Sequence, residues 1–310
     1  MAFRVLASDP LAAEAVAAMR EAGLEVDEKT DLTPEALLEE IDAYDAIVIR
    51  SATKVRAEVI DAGTNLKLVV RAGVGLDNVD LDHARTKGVD VRNTPAASSN
   101  SVAELALGHM LSLARNIGRG TASMKAGKWE KKALKGVEIT GKTLGLIGIG
   151  RIGCSLAGKA KALGMSVIAY DAYLDACPVP GLADMVPLDE LLAESDFISL
   201  HIPFDTAVGA TLGAEQLAKM KNGVRIVNCA RGGVVDERAL VEAMQSGKVA
   251  GAALDVFSVE PITGEEAIVA QENVSLTPHI GAATVEAQAR VGAEAAQIVI
   301  EFARERAAGS

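Results

Sequence analysis

Short, almost continuously apolar runs alternate with longer helical stretches along this whole chain of 310 residues. Residues 46–50 and 224–229 are two such apolar runs, and residues 11–22 and 34–41 have helical apolar spacing. Strands that are apolar throughout are covered on both faces, as in a parallel sheet flanked by helices. A sheet with one wet face would instead alternate apolar and polar residues. The pattern therefore predicts an α/β fold.

Residues 142–153 read KTLGLIGIGRIG, so a strand runs directly into the pattern GxGxxG and a helical stretch follows. Gly148 permits the tight turn, Gly150 lets the backbone approach a pyrophosphate, and Gly153 lets helix and strand pack closely. The next strand ends at Asp171, whose carboxylate can accept hydrogen bonds from both ribose hydroxyls and would repel the extra phosphate of NADP. These residues predict an NAD site. The alternative is a glycine-rich turn in an α/β protein that binds no nucleotide.

The position of this fingerprint predicts the domain organisation. A dinucleotide fold starts with the strand before Gly148, so a complete α/β unit must precede it. No strand follows the last helical stretch, which must pack against a unit already built. We predict two doubly wound parallel-sheet, Rossmann-like domains, with a hinge near residues 93–95 and the active site in the cleft. The NAD-binding domain (96–283) is inserted into a discontinuous substrate-binding domain made of residues 1–95 and 284–310.

Composition excludes several classes of protein. The chain has 31 basic and 42 acidic residues, and this acidic balance argues against nucleic-acid or membrane-surface binding. No apolar run reaches the roughly 18 residues that span a bilayer, and the N-terminus lacks the apolar stretch of a signal peptide. Cys154, Cys177 and Cys229 have no metal-ligand spacing and are interpreted as free thiols. We expect a cytoplasmic protein without a metal, whose ligand is a small anionic acid.

Three residues of the last third form a candidate acid–base set. Arg231, Glu260 and His279 each follow a predicted strand, at the sheet edge where open parallel sheets bind ligands. Oxidation of an alcohol by a nicotinamide cofactor needs a base, a group that orients the base, and a cation for a substrate carboxylate. We predict that His279 accepts the hydroxyl proton and that Glu260 holds the imidazole and favours its protonated form. Arg231 would pair with the carboxylate and polarise the developing carbonyl.

Each of these residues could, by itself, be a structural or surface residue, so the hypothesis depends on the three occurring together. The other histidines receive no catalytic role. His83 and His109 lie in helical stretches and are interpreted as surface or packing residues. His201 ends a strand and is expected to touch the cofactor, if at all, through its backbone.

Five segments carry a resemblance to a known family. They are RAGVGLDNVD (71–80), GLIGIGRIG (145–153), NCARGGVVDE (228–237), ALDVFSVEP (253–261) and TPHIGAAT (277–284). From about residue 46 to residue 301 the chain resembles the D-isomer-specific 2-hydroxyacid dehydrogenases. The resemblance implies that Arg231, Glu260 and His279 are catalytic, in agreement with the roles argued above. It also implies a homodimer with the region of residues 99–119 in the interface.

The resemblance further implies which residues bind the ligands. Arg50 and Arg71 would face the anionic substrate, and Ala72, Gly73, Val74 and Gly75 would donate backbone N–H groups to its carboxylate. Val74 would also lie near the nicotinamide, and Asp255 would hold its carboxamide. The NAD site would be lined by Val74, Gly148, Gly150, Arg151, Ile152, Gly153, Asp171, Ile202, Cys229, Ala230, Asp255, Gly281 and Ala282. Asp205 stands where the family often has a threonine, so we expect weaker cofactor binding there.

The segments 48–55 and 121–132 resemble most the family members that oxidise 3-phospho-D-glycerate to 3-phosphohydroxypyruvate, the first step of the phosphorylated serine pathway. Many of those members continue into serine-binding regulatory domains, whereas this chain stops after the closing helix, so we expect no feedback through such a domain. One alternative keeps the chemistry and changes the substrate to D-glycerate, glyoxylate, D-lactate or 2-oxoglutarate. A remote alternative is an NAD(H)-sensing corepressor-like binding protein.

Overall fold

A computed structural model describes residues 2–308, which cluster into two compact units. The first unit comprises the chain up to Ser98 together with the segment from Ala282 onward, and the second comprises Ser99–Gly281. The sequence-based boundaries, at 95–96 and 283–284, lie a few residues from these.

The first unit begins with a parallel sheet flanked by helices. Its strands lie in the order β2-β1-β3-β4-β5, and each neighbouring pair is parallel. Chain order reverses between β1 and β3, so the residues that follow these two strands border the switch point of the sheet. The elements are β1 (Arg4–Ala7), α1 (Ala13–Glu21), β2 (Glu25–Glu28), α2 (Pro34–Glu40), β3 (Ala46–Ile49), α3 (Ala57–Ala62), β4 (Leu68–Arg71), α4 (Leu81–Lys87) and β5 (Asp90–Asn93).

The second unit contains a larger parallel sheet in the order β12-β11-β10-β9-β6-β7-β8. Chain order reverses between β6 and β9, which is where a doubly wound sheet opens a crevice for a ligand. Its elements are α5 (Ser99–Arg115), α6 (Ile117–Lys125), β6 (Thr143–Ile147), α7 (Arg151–Ala162), β7 (Ser166–Tyr170), β8 (Asp184–Met185), α8 (Leu188–Glu194), β9 (Phe197–Leu200), α9 (Ala214–Lys219), β10 (Val224–Asn228), α10 (Glu237–Gln245), β11 (Val249–Leu254) and β12 (Val274–Leu276).

The closing helix, α11 (Val285–Ala308), returns to the first unit and packs on α1. Val291, Ala295 and Val299 of α11 are buried in one cluster with Val16 and Met19 of α1. The two helices approach closely because the facing residues are small: a side chain at Gly292 would meet the Cβ of Ala15 at 3.2 Å. These two parallel-sheet units confirm the predicted fold class.

Both faces of the second sheet are buried, which explains its continuous apolar strands. In β10, Ile226 belongs to the cluster on one face and Val227 to the cluster on the other, and neither is exposed. Full burial of such an aliphatic side chain contributes roughly 1.5–3 kcal/mol. Among the helices of residues 2–308, none is long and apolar enough to cross a bilayer.

Residues 99–119 carry an apolar stripe that predicts one long helix, but the structure has two helices there, α5 and α6. The break lies at Asn116, whose φ of 53° is left-handed, a conformation that Asn tolerates better than most residues. The backbone N–H of Val137 donates to the carbonyl of Ala114 at 2.8 Å, so a returning segment takes an acceptor that a continuous helix would use. β2 was also missed, because its sequence EVDE is polar and its ends are exposed, as befits an edge strand.

Candidate active site

His279 and Glu260 form a direct pair in the second unit. His279 follows β12 and Glu260 follows β11, and the Nδ1 atom of His279 lies 2.7 Å from Oε2 of Glu260. The other carboxylate oxygen, Oε1, accepts a hydrogen bond from the backbone N–H of Phe257 at 2.9 Å. The His279 side chain is 48% exposed, and its Nε2 atom has no hydrogen-bond partner within residues 2–308. One ring nitrogen is therefore held while the other is accessible to a ligand.

The backbone of His279 is held in a left-handed conformation, with φ 52°. Such a conformation costs a non-glycine residue about 1 kcal/mol or more. Asp255, which is 1% exposed, stabilises it from both sides. Its carbonyl accepts from the N–H of His279 at 2.9 Å, and its carboxylate accepts from the N–H groups of Ile280 and Gly281 at 2.8 Å each. The Thr277 hydroxyl donates to the same carboxylate at 2.6 Å.

Arg231 lies in the loop after β10, at the same edge of the sheet. The buried side chain of Asn228 shapes this loop by donating to the carbonyl of Arg231 at 2.9 Å and accepting from the N–H of Ala230 at 3.0 Å. Nη1 of Arg231 donates to the carbonyl of Ala230 at 2.6 Å. Gly232 packs flat on the carbonyl of Phe257, which a Cβ would approach to 1.8 Å. The loop of Arg231 is thus in contact with the loop that carries Glu260.

A cavity of about 510 Å³ adjoins the His279–Glu260 pair. Its walls are mostly apolar, and Glu260 and His279 supply the ionisable groups. A ligand group that enters it leaves water, which strengthens its interactions with these two side chains. The lining residues are Phe257, Glu260, Pro261, Ile262, Leu276, Thr277, Pro278 and His279.

The glycine fingerprint adopts the geometry that a pyrophosphate requires. Gly148 has φ 95°, and a side chain there would lie 2.6 Å from the carbonyl of His201. A side chain at Gly153 would lie 2.3 Å from the carbonyl of Gly148, so helix α7 packs directly on the turn. Gly150 caps α7 without a side-chain hydrogen bond and has open space around its Cα. The N-terminus of α7 is therefore accessible to an anion, and these residues fit a dinucleotide.

Asp171 lies directly after β7, beside this turn. Its Oδ2 accepts from the N–H of Ile149 at 3.0 Å and its Oδ1 accepts from the N–H of Tyr173 at 2.9 Å. A carboxylate offers about four acceptor positions, so two remain for ribose hydroxyls. The geometry fits the hydrogen-bonding role predicted from the sequence.

The remaining predicted cofactor contacts lie after strands of the second unit or at the start of α7, with two exceptions. Arg151 and Ile152 form the first turn of α7, Ile202 follows β9, and the pair Cys229 and Ala230 follows β10. Burial, aided by the charge of Asp255, raises the pKa of the Cys229 thiol. The exceptions are Val74 and Ala282, which belong to the first unit. Asp205, the departure from the family pattern, is exposed and accepts from the N–H of Ala207 at 2.8 Å.

The predicted substrate residues of the first unit follow β3 and β4. The backbone N–H of Arg50 donates to the buried carboxylate of Asp9 at 2.5 Å. Arg71 ends β4 and lies against Gly73, and the loop 72–75 is held by Asn93, whose amide donates to the carbonyl of Val74 at 2.5 Å. Asp9 and Arg50 follow β1 and β3, so they lie at the switch point of this sheet.

Several residues that shape the site were not predicted. Asn228 and Thr277 stand inside the recognised motifs, but their types gave no indication of their hydrogen bonds. Glu237 accepts from both the N–H and the hydroxyl of Ser258 at 2.7 Å. His109 was interpreted as a surface or packing residue; it is buried, as packing requires, but both ring nitrogens are hydrogen-bonded to the segment before His279. Within residues 2–308, no cluster of three or more His, Cys, Asp or Glu side chains could hold a metal.

Comparison with known proteins identifies the family. The family model of the D-isomer specific 2-hydroxyacid dehydrogenase NAD binding domain matches residues 107–281. Hydroxypyruvate reductase from Thermotoga maritima is 53% identical over 295 residues, which are 94% of this chain and 95% of that protein. D-3-phosphoglycerate dehydrogenase from Archaeoglobus fulgidus is 46% identical over 303 residues, which are 97% of this chain and 58% of that protein. The chain thus spans a little more than half of the curated phosphoglycerate dehydrogenases it matches.

A solved structure agrees with these relatives. The chain superposes on a glyoxylate reductase from Paecilomyes thermophila with a TM-score of 0.90 and 32% identity, covering 97% of this chain and 95% of that one. The family and the cofactor predicted from the motifs are therefore confirmed. The chain belongs to the D-isomer-specific 2-hydroxyacid dehydrogenase family, and its cofactor is NAD.

Proposed function

We propose that the protein interconverts 3-phospho-D-glycerate and 3-phosphohydroxypyruvate with NAD, the first step of phosphorylated serine biosynthesis. The observation that carries the chemistry is the 2.7 Å contact between His279 and Glu260 in the unit that holds the glycine fingerprint. The observation that favours this substrate is that 97% of the chain aligns with a D-3-phosphoglycerate dehydrogenase, at 46% identity.

The pair assigns the proton chemistry to one atom. A carboxylate can only accept hydrogen bonds, so Nδ1 of His279 carries the proton that Glu260 binds. The lone pair of the neutral ring is then on Nε2, which takes the proton of the substrate hydroxyl. The imidazolium that forms is stabilised by the adjacent carboxylate of Glu260. The glycine fingerprint would hold NAD, which when bound would accept a hydride from the substrate carbon that bears this hydroxyl.

Arg231 is proposed to bind the substrate carboxylate and to polarise the oxygen that becomes a carbonyl. Its guanidinium is planar and permanently charged, and its forked N–H groups match the two oxygens of a carboxylate. Arg50 and Arg71 are proposed to bind anionic groups of the substrate through the first unit. An acid with a carboxylate and a phosphate needs cations at two positions, which these arginines provide.

A second candidate substrate is supported by a specific comparison. The hydroxypyruvate reductase is 53% identical and nearly the same length as this chain, whereas the phosphoglycerate dehydrogenases are much longer. Hydroxypyruvate lacks the phosphate of 3-phosphohydroxypyruvate but presents the same 2-oxo acid to His279 and Arg231. On this alternative the reaction is unchanged, and Arg50 and Arg71 have no phosphate to bind.

The test is NADH consumption by the purified protein with 3-phosphohydroxypyruvate, hydroxypyruvate, glyoxylate, pyruvate and 2-oxoglutarate. The reductive direction is chosen because reduction of a 2-oxo acid is favoured near neutral pH. We expect kcat/KM for the phosphorylated acid to exceed the others by a factor of about 100, or about 2.7 kcal/mol of transition-state discrimination. A preference for hydroxypyruvate would establish the second candidate. NADH binding without turnover would favour an NAD(H)-sensing protein.

Light scattering of the purified protein, which measures its molar mass in solution, tests the predicted homodimer.

A further inference from the structure

His109 connects helix α5 to the segment that carries His279. It is 3% exposed, and it lies 170 residues before His279 in the chain. Its Nδ1 atom lies 2.9 Å from the hydroxyl of Ser275, and its Nε2 atom lies 3.0 Å from the hydroxyl of Thr277. Thr277 is two residues before His279 and also contacts Asp255 at 2.6 Å. The hydroxyl of Thr277 thus links the buried imidazole of His109 to the carboxylate of Asp255, which holds the turn 277–281.

The direction of these hydrogen bonds follows from the chemistry of the groups. The carboxylate of Asp255 can only accept, so the hydroxyl of Thr277 donates to it. The oxygen of Thr277 must then accept from Nε2–H of His109. Burial lowers the pKa of His109, against the opposing charge of Asp255, so the ring is neutral at pH 7. A neutral ring has one N–H, so Nδ1 accepts from the hydroxyl of Ser275.

The network of hydrogen bonds that starts at His109 extends through Asp255 to the backbone of His279. The carboxylate of Asp255 that receives the Thr277 hydroxyl also receives the N–H groups of Ile280 and Gly281, at 2.8 Å each. The carbonyl of the same residue receives the N–H of His279 at 2.9 Å. A change in the hydroxyl of Thr277 therefore acts on the orientation of Asp255, and through it on the left-handed backbone that points the imidazole at Glu260.

We propose that His109 is a positioning residue for the His279–Glu260 pair. As the Nε2–H tautomer, it directs the Thr277 hydroxyl to Asp255 and thereby holds the turn 277–281 in its active conformation. This assignment rests on the proposed catalytic role of His279. A hydrocarbon side chain of similar size would fill the same space but would remove the hydrogen bonds that His109 makes to the hydroxyls of Ser275 and Thr277.

The first test is the tautomer of His109 in the wild-type protein, read from ¹⁵N chemical shifts of the imidazole nitrogens. The sequence has four histidines, so single substitutions of the other three assign the ring signals of His109 by elimination. We expect His109 to be neutral and protonated at Nε2 at pH 7. A ring protonated at Nδ1, or a cationic ring, would overturn the proposal. This measurement needs no turnover and no variant at position 109, so it stands even if the proposed reaction is wrong.

The second test compares His109→Leu with His109→Gln. The amide nitrogen of glutamine can lie near the position of Nε2 and donate to Thr277, whereas leucine cannot. We expect His109→Leu to lower kcat by roughly 10- to 100-fold, as loss of an orienting partner does elsewhere, and His109→Gln to recover most of the loss. The KM for NADH should rise by a smaller factor than kcat falls, because the glycine fingerprint that would bind the pyrophosphate is untouched even though Asp255 also belongs to the predicted NAD site. His83→Gln, at a histidine of the first unit, is the control and should leave kcat unchanged.

A residue that only packed would give a different pattern. It would lower the melting temperature in His109→Leu while kcat of the folded protein stayed normal, and that result would overturn the proposal. Equal losses in the leucine and glutamine variants would also overturn it. If the leucine variant does not fold, Thr277→Val removes the same link with a side chain of the same shape, and normal kcat there would contradict the role. Full turnover in His279→Ala would instead refute the proposed function, leaving the tautomer assignment intact.

Discussion

The guanidinium of Arg71 occupies the space that a side chain at Gly73 would need. A Cβ at Gly73 would lie 1.5 Å from Nη1 of Arg71, and the φ of Gly73 is 150°. The loop that follows β4 is thus shaped around one arginine, which Gly73 allows to lie flat on the backbone. The two motif residues therefore act together, and a substitution at the glycine tests the arginine without removing its charge.

We expect Gly73→Ala to displace Arg71 and to raise the KM for 3-phosphohydroxypyruvate by about 10- to 100-fold, the cost of about one charge-assisted hydrogen bond or two. The KM for NADH should change little. Gly88→Ala is the matched control. Gly88 also has a positive φ, of 72°, but no atom lies within 4 Å of the position that an added Cβ would take. Both variants place an alanine at a positive φ and so introduce backbone strain. Equal KM values for 3-phosphohydroxypyruvate in the two variants would show that the position of Arg71 does not affect substrate binding.

The acid–base pair predicts a graded series of variants. His279→Ala removes the proposed base and should lower kcat by about 10³-fold or more. Glu260→Gln keeps a hydrogen bond to Nδ1 but loses the charge, so it should lower kcat by about 10- to 100-fold. NADH fluorescence should show nearly unchanged cofactor affinity in both. A His279→Ala enzyme with near-normal turnover would refute the assignment of the base. A Glu260→Gln enzyme as inactive as His279→Ala would mean that the charge of Glu260 contributes more than orientation.

The glycine fingerprint offers a comparison of two neighbouring positions. Gly150 has open space around it, so Gly150→Ala should leave the melting temperature nearly unchanged while weakening NADH binding by roughly tenfold or more. A side chain at Gly153 would meet the carbonyl of Gly148 at 2.3 Å, so Gly153→Ala should lower both stability and affinity. Thermal melts and NADH titration measure the two effects separately. Tight NADH binding by the Gly150 variant would show that the cofactor does not approach this turn.

Local sequence patterns predicted those features of the fold and of the site that are decided within one short segment of the chain. The apolar strands, the turn at Gly148 and the placement of Arg231 and His279 after strands all follow from short segments. The link from His109 to Thr277 could not be predicted in this way, because it joins residues 168 apart. The helix break at Asn116 depends on Val137, and the edge strand β2 depends on its partner β1. Each of these features is decided by tertiary contacts that override local preference.

Two histidines whose pKa values are lowered by burial predict how stability depends on pH. The Nδ1 atom of His201 is buried without a hydrogen-bond partner within residues 2–308, and burial lowers the pKa of this histidine to about 4. Burial lowers the pKa of His109 as well. Below pH 6.5 the unfolded chain binds protons at these rings while the folded chain does not, so the free energy of unfolding falls as the pH falls. The decline continues down to about pH 4, where the folded His201 also becomes protonated.

The contribution of His201 over this range is at most about 3.5 kcal/mol, since each unit of pKa difference is worth about 1.4 kcal/mol. His201→Gln removes the titrating ring, and we expect it to flatten the pH dependence between 6.5 and 4 without changing its sign, because His109 remains. Urea unfolding midpoints at a series of pH values measure the slope. His83→Gln serves as the comparison, since His83 contacts Asp61 at the surface rather than lying enclosed. A slope in the His201 variant equal to that of the wild-type protein would show that His201 is protonated alike in the folded and unfolded chain.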